Sequence, residues 1–294
     1  MFPPLLLLLF SFYIRALRWK KILSRNSSIR IKVLFNATII GYAANNILPS
    51  RLGEVVRAMI ASKKTGISKS RCFASLVFER VLDGFSLLFM LGILLAVGSY
   101  AFPDWLSKSF YVLGIAYAAL LVMIMLFFFR KEMFIKVTSL LLFFLSAKLK
   151  LRVLNFVDSF SKGFTLLSAP KDLLIAILQS IVIWVPNVLF TYFVMQIFGL
   201  DLDPSAALIL LVSISASSVL PSAPGFWGTL QFVSVVILGI FGVEKSTALS
   251  FAIVFHLVQY IPVTLAGLIL YISMGFNLKK LKEENNSREV AARI

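Results

Sequence analysis

The sequence predicts an all-α fold, a polytopic membrane helical bundle, and three observations predict it. Of its 294 residues 60% are hydrophobic and only 14% charged, with a mean hydropathy of +0.94; no soluble domain of ordinary composition hides so much apolar side chain. Several apolar runs reach or approach the roughly 20 residues needed to cross a bilayer core of about 30 Å. Basic residues cluster in short segments beside those runs, the positive-inside bias of multi-pass proteins. Together these predict about five spans plus two broken, re-entrant hairpins in a cell-membrane protein, its N-terminus outside and its C-terminus cytoplasmic.

The elements follow in order. Residues 3–17 form a short apolar run. The basic stretch Arg15, Arg18, Lys20, Lys21, Arg25, Arg30 and Lys32 follows without an acidic residue and predicts a cytoplasmic loop, with Trp19 as an interfacial anchor. Residues 33–48 are apolar but broken by Asn45, Asn46, Pro49 and Gly53, and basic residues flank them on both sides. A full span would leave one basic flank outside, so a hairpin entering and leaving on the cytoplasmic face fits better. Residues 72–100 predict a long outward helix and 110–129 its return. Residues 130–170 mix basic and apolar side chains, as amphipathic helices lying in the cytoplasmic surface do. Residues 173–198 lead out again. The Ser-rich run 205–220 is interrupted by Pro221, Pro224, Gly225 and Gly228 before 232–241, a second broken hairpin entered from outside. Residues 248–274 return to a basic tail. Ile47-Leu48-Pro49-Ser50 and Val219-Leu220-Pro221-Ser222 stand at equivalent tips. With opposite entry sides, they suggest an inverted repeat. One transmembrane domain, 1–276, then has halves at about 1–129 and 171–276, and 277–294 is a charged cytoplasmic tail.

The net charge of +16 would point to nucleic acid in a soluble protein; here it belongs to membrane-flanking loops that attract anionic lipid, and no nucleic-acid partner is expected. A lone cysteine, Cys72, rules out an internal disulfide, and with His256 the single histidine the usual Cys/His zinc arrangements are excluded, so no metal or cofactor is expected. No G-x-x-x-x-G-K-[ST] loop, G-x-S-x-G elbow or HExxH helix occurs. No catalytic residue is assigned.

Chemistry concentrates in Glu79-Arg80-Val81-Leu82-Asp83, enclosed by apolar sequence. An ionisable side chain at a helix centre costs on the order of 2.5–3.5 kcal/mol, so three need partners or water. Glu79 and Asp83 share a helix face that Arg80 leaves by about 100°. Arg51 or Arg57 of the first hairpin could meet those carboxylates; interfacial ion pairing near the cytoplasmic end is the plainer reading. Arg51, Glu54 and Arg57 form one stripe if their arm is helical, and with Asn45 and Asn46 they supply guanidinium forks and a helix end, which suit a phosphate or another lipid head group. An ordinary cytoplasmic loop is the alternative. The second tip offers serines, Thr229 and Gln231, consistent with close helix packing alone. His256 and Gln259 lie one turn apart in the last span, where an imidazole can carry a proton, contact a head group or simply bond a serine.

The run Asn46-Ile47-Leu48-Pro49-Ser50-Arg51-Leu52-Gly53-Glu54-Val55-Val56-Arg57, followed by Glu79-Arg80 and Asp83, resembles the lysylphosphatidylglycerol synthase transmembrane region family of flippase-like proteins. Arg15-Ala16-Leu17-Arg18-Trp19-Lys20 resembles its basic-Trp motif, and the similarity runs from Arg15 to about Gly275. The resemblance implies a module that, in two-domain relatives, carries an aminoacylated phospholipid across the bilayer after a separate soluble domain makes it. It implies functional roles for Arg51, Glu54, Arg57, Glu79, Arg80 and Asp83. Where relatives follow Pro-Gly-Gly-x-Gly with an acid, Pro224-Gly225-Phe226-Trp227-Gly228 leads here to Gln231, and His256 replaces a basic residue of the last span. Relatives also carry a further helix ahead of the first, so the start at Met1 reads as a truncated, mis-started or variant N-terminus.

The expectation is therefore a flippase-like protein that binds or translocates a polar lipid head group. Asn46, Arg51, Glu54, Arg57, Glu79, Arg80, Asp83, Gln231 and His256 are its candidate binding residues. The expected partner is a membrane lipid, either an anionic or aminoacylated phospholipid or a lipid-linked glycan, together with a lipid-synthesising enzyme. A membrane-embedded transferase acting on a lipid carrier and a non-catalytic partner subunit of a lipid-modifying enzyme stand as alternatives.

Overall fold

The computed structural model describes residues 2–23, 29–49, 52–98, 102–130, 169–218 and 222–274. Their regular elements are helical: α1 (Phe2–Leu23), α2 (Ile31–Ile47), α3 (Gly53–Thr65), α4 (Lys69–Val97), α5 (Asp104–Phe129), α6 (Pro170–Ile197), α7 (Pro204–Ser217), α8 (Thr229–Ile240) and α9 (Lys245–Ser273). Among them α4, α5, α6 and α9 are long and apolar enough to cross a membrane. The surface helices expected in 131–168 and the tail expected in 277–294 lie outside the described residues.

Helix ends follow local chemistry. Ser68 caps α4 by accepting the Arg71 amide, which starts that helix ahead of its expected residue 72. Asp203 and Glu244 accept amides at the starts of α7 and α9, and Gly66 closes α3 in the left-handed conformation. Pro186 sits inside α6, where Asn187 Nδ2 donates to the Ile183 carbonyl at 2.6 Å beside the proline. Neighbouring polar groups make interior prolines tolerable in membrane helices.

Both breaks are present. The arms α2 and α3 hold 17 and 13 residues, and α7 and α8 hold 14 and 12. At about 1.5 Å per residue none of the four reaches on its own the 30 Å of a bilayer core. Glycine permits the close fit: a Cβ on Gly53 would stand 2.0 Å from the Gly41 carbonyl oxygen, and one on Gly267 of α9 would stand 2.2 Å from Ala43 Cβ. The second break turns at Gly225 and Phe226, both at positive φ.

One expectation needs correction. The basic stretch from Arg15 to Lys21 is not a loop but the last two turns of α1, an unbroken 22-residue helix. Trp19 is fully buried rather than interfacial, and its indole donates to Ser75 Oγ at 2.8 Å. Carboxylates on α4 keep these arginines inside the bundle. α1 packs on α6, α2 lies against α3 and α9, and α4 touches α1, α3, α6 and α7. α5 lies outermost, with apolar side chains such as Tyr111, Val112 and Ile115 exposed for lipid.

Candidate functional site

Asp83 stands at the midpoint of α4, roughly 21 Å along the helix from its first residue. Glu79 is fully buried and Asp83 nearly so. Carboxylates at such depth persist only when guanidinium groups replace the lost water.

The replacement is dense. Arg18 donates to Asp83 Oδ1 at 2.7 Å, to Glu79 Oε1 at 3.3 Å and to Ser180 Oγ at 2.7 Å. Arg15 donates to Asp83 Oδ2 at 3.0 Å, and Arg80 approaches the same oxygen at 3.4 Å. Arg57 reaches Glu79 Oε2 at 2.7 Å, off the hydrogen-bonding direction, with its guanidinium 4.0 Å above the Trp19 ring. Glu54 stands 3.7 Å from Arg80 and 4.0 Å from Arg57. Four helices contribute: α1 gives Arg15 and Arg18, α3 gives Glu54 and Arg57, α4 gives Glu79, Arg80 and Asp83, and α6 gives Ser180. Four arginines face three carboxylates, a surplus of one positive charge among the described residues.

The cluster forms part of the wall of a cavity of about 1150 Å³. Arg15, Tyr42, Asn46, Glu54, Arg80 and Asp83 line it, whereas Arg18, Arg57 and Glu79 stand behind them. Leu8, Leu87, Leu113, Leu120 and Met123 give the wall a large apolar part, and Ser11, Asn187, His256 and Gln259 add further polar groups to it. No group of three or more metal-ligating side chains occurs among the described residues.

The second break borders the same cavity through Ser215, Ser222 and Gly225. It touches the first break directly. A Cβ on Gly225 would lie 2.8 Å from the Asn46 carbonyl, and α9 holds the same residue, Asn46 Nδ2 donating to Thr264 Oγ1 at 2.8 Å and the Tyr260 hydroxyl donating to the Asn46 carbonyl at 3.2 Å. Gln231 and His256 meet at 3.1 Å between Nε2 and Nδ1. Because the Gln231 side-chain oxygen already accepts the Gly228 amide, its Nε2 is the donor, and a neutral His256 carries its proton on Nε2. Trp227 packs on that imidazole at 4.5 Å between ring centres.

Of the nine candidates, Glu54, Arg57, Glu79, Arg80 and Asp83 gather in one cluster. Asn46 stands at the junction of the breaks, and Gln231 pairs with His256. Arg51 lies outside the described residues. The carboxylate face meets Arg57 through Glu79, whereas Asp83 is taken by Arg15 and Arg18. The sequence reading missed those two, along with Trp19, Tyr42, Ser180 and Trp184. A signal existed: Arg15 and Arg18 are three apart, on one face of a helix whose preceding residues are apolar.

Comparison with known proteins agrees with this architecture. The chain is 25% identical over 269 residues to a UPF0104 membrane protein of Methanothermobacter thermautotrophicus, covering 85% of this chain and 78% of that one. It is 26% identical to a UPF0104 membrane protein of Methanocaldococcus jannaschii, over 83% of this chain and 98% of the relative. It is 23% identical to the glycosyltransferase AglD of Haloferax volcanii, over 94% of this chain but 49% of that protein. No solved structure matches. The family model described as the lysylphosphatidylglycerol synthase TM region matches residues 1–267, and the chain, an integral membrane protein, belongs to that family.

Proposed function

We propose that the chain binds a polar lipid head group in the cavity between its two breaks and passes it across the cell membrane while the acyl chains stay in lipid. The observation that carries this reading is the joining, in one cavity, of a mid-helix ionic cluster to an apolar wall. A head group needs hydrogen bonds at depth and an acyl chain needs hydrocarbon, and few other occupants need both. Contact between the breaks at Asn46 and Gly225 supports treating 1–129 and 171–276 as halves of an inverted repeat that meet near the midplane. Rocking of one half against the other would then expose the site to each leaflet in turn.

The test is reconstitution into vesicles whose lipids carry a reporter on the head group. The wild-type chain is expected to speed the loss of leaflet asymmetry, and Arg15→Gln to slow it by tenfold or more. If wild-type vesicles exchange no faster than empty ones with any head group offered, the proposal fails.

A second reading has one observation in its favour. The glycosyltransferase relative extends well beyond the matched region, so such a module can be covalently joined to further sequence. In this reading the chain is the membrane partner of a lipid-modifying enzyme. Co-purification with that enzyme, and leaflet exchange only in its presence, would favour it.

A further inference from the structure

We infer that α5 is a lateral gate, a side wall of the cavity that parts from α4, and that the Tyr117 hydroxyl is its latch. The inference rests on the lipid-passing reading above and names the moving wall which that reading requires. A lipid whose head group lies inside a helical bundle while its tails stay outside must cross the wall somewhere, and the walls differ in what parting would break.

Most seams are tied by charge or by interlocked backbone. Arg18 joins α1 to α4 at Asp83 and to α6 at Ser180, each at 2.7 Å. Arg57 holds α3 to α4 through Glu79 at 2.7 Å. α2 and α9 interlock where a Cβ on Gly267 would meet Ala43, and Asn46 bonds Thr264 across the same seam. Opening any of these leaves ionised or polar groups without partners where no water replaces them.

α5 is held differently. Leu106, Phe110, Leu113, Tyr117, Leu120 and Ile124 recur at the helical period and form its inner stripe, none of them exposed. Among the described side chains of α5 only Leu106, near its start, is buried. The stripe packs on α4, and its last four members line the cavity. Among the described residues Tyr117 makes the hydrogen bond between α5 and another helix, its hydroxyl donating to the Val81 carbonyl of α4. Gly84 gives the ring its seat, since a Cβ there would stand 2.6 Å from Tyr117 Cε2. Val81 and Gly84 each adjoin a charged residue of the cavity wall, Arg80 and Asp83, so the latch sits beside the polar end of the cavity.

Apolar contacts do little to resist parting in a bilayer, because lipid tails replace α4 against Leu113 or Leu120 without loss of hydrophobic burial. Swinging α5 outward about its buried end therefore breaks one hydrogen bond and exposes no ion pair. The seam so opened leads from the ionic cluster directly to hydrocarbon.

The test uses the full chain in lipid nanodiscs and in vesicles. Spin labels are attached through Ile115→Cys of α5 and Ile253→Cys of α9, both exposed positions, in a Cys72→Ala background. Pulsed electron spin resonance then reads the distance between the two helices. A second, longer population is expected, and Tyr117→Phe, which keeps the ring and drops the hydroxyl, should raise its share roughly threefold, the ratio that one interhelical hydrogen bond carries in a membrane. Labels at Leu189→Cys and Ile253→Cys, joining α6 to α9, should keep one distance in both proteins. For passage itself, Gly84→Cys and Tyr117→Cys are bridged by a short reducible bis-thiol linker. Bridging should stop leaflet exchange of a head-group-labelled lipid, and reduction should restore it. A single distance between α5 and α9 that Tyr117→Phe leaves unchanged, or undiminished exchange in the bridged protein, would overturn the inference. Wild-type vesicles that exchange no lipid would defeat the transport reading, while the spin-label distances still decide whether α5 parts from the bundle.

Discussion

Glu79 is the residue on which two arginines depend, since Arg18 and Arg57 take one carboxylate oxygen each. Its replacement by glutamine keeps the shape but leaves guanidinium groups short of a counter-charge. Breaking a buried pair costs about 3–5 kcal/mol. Thermal unfolding of Glu79→Gln should therefore show a large loss of stability, whereas Arg80→Gln, at a partly exposed side chain, should lose under about 1 kcal/mol. Equal effects would mean that Glu79 is solvated. At this scale the sequence was informative where a charge interrupts an apolar run, as at Glu79 and Asp83. It was misleading at Arg15, Arg18 and Trp19, because arginines at the end of an apolar segment look the same whether they face water or a carboxylate three helices away. The partner decides, and the partner is not local.

Among the elements, the first hairpin depends on Gly53. Its amide donates to Asn45 Oδ1 at 2.8 Å and its missing Cβ admits the Gly41 carbonyl. Gly53→Ala must push backbone apart, with an expected cost at or above the roughly 1–3 kcal/mol of ordinary overpacking. Gly92→Ala in α4, where no described residue lies within 4 Å, should be neutral or stabilising by up to about 1 kcal/mol. Melting temperatures of the two variants check the contrast. The N-terminus of α9 carries a pH dependence. The Ser246 hydroxyl, followed by the Ser246 and Thr247 amides, holds the Glu244 carboxyl below its ordinary range. A depressed carboxylate stabilises the folded state above the unfolded value, and that contribution is lost as pH falls through the folded value. Protection of the Ser246 and Thr247 amides from exchange, corrected for intrinsic rate, should thus persist through the ordinary glutamate range and fall only at more acid pH. The breaks themselves were legible, since Pro49 and the Pro224–Gly228 turn stop helices by their own backbone chemistry. The continuation of α1 through its arginines was not.

For the whole molecule, composition and periodicity were enough to give an all-helical membrane bundle with two interrupted segments. What they could not give is the arrangement: that α1 packs on α6, that the two breaks touch at Asn46 and Gly225, and that α4 delivers its carboxylates to a cavity wall. Those facts come from long-range packing through small residues, which leaves only single glycines in the sequence. The proposed site brings ionised groups and a lipid head group together inside the bundle, and Trp184, midway along α6, lies on its wall. A phospholipid with a photoreactive group on its head, irradiated with the reconstituted chain and mapped by peptide mass spectrometry, reports where head groups travel. Adducts are expected on peptides containing Tyr42 and Trp184, and should be lost when unlabelled phosphatidylglycerol is in excess. Adducts confined to helix ends such as Trp105, with none at mid-helix, would contradict it.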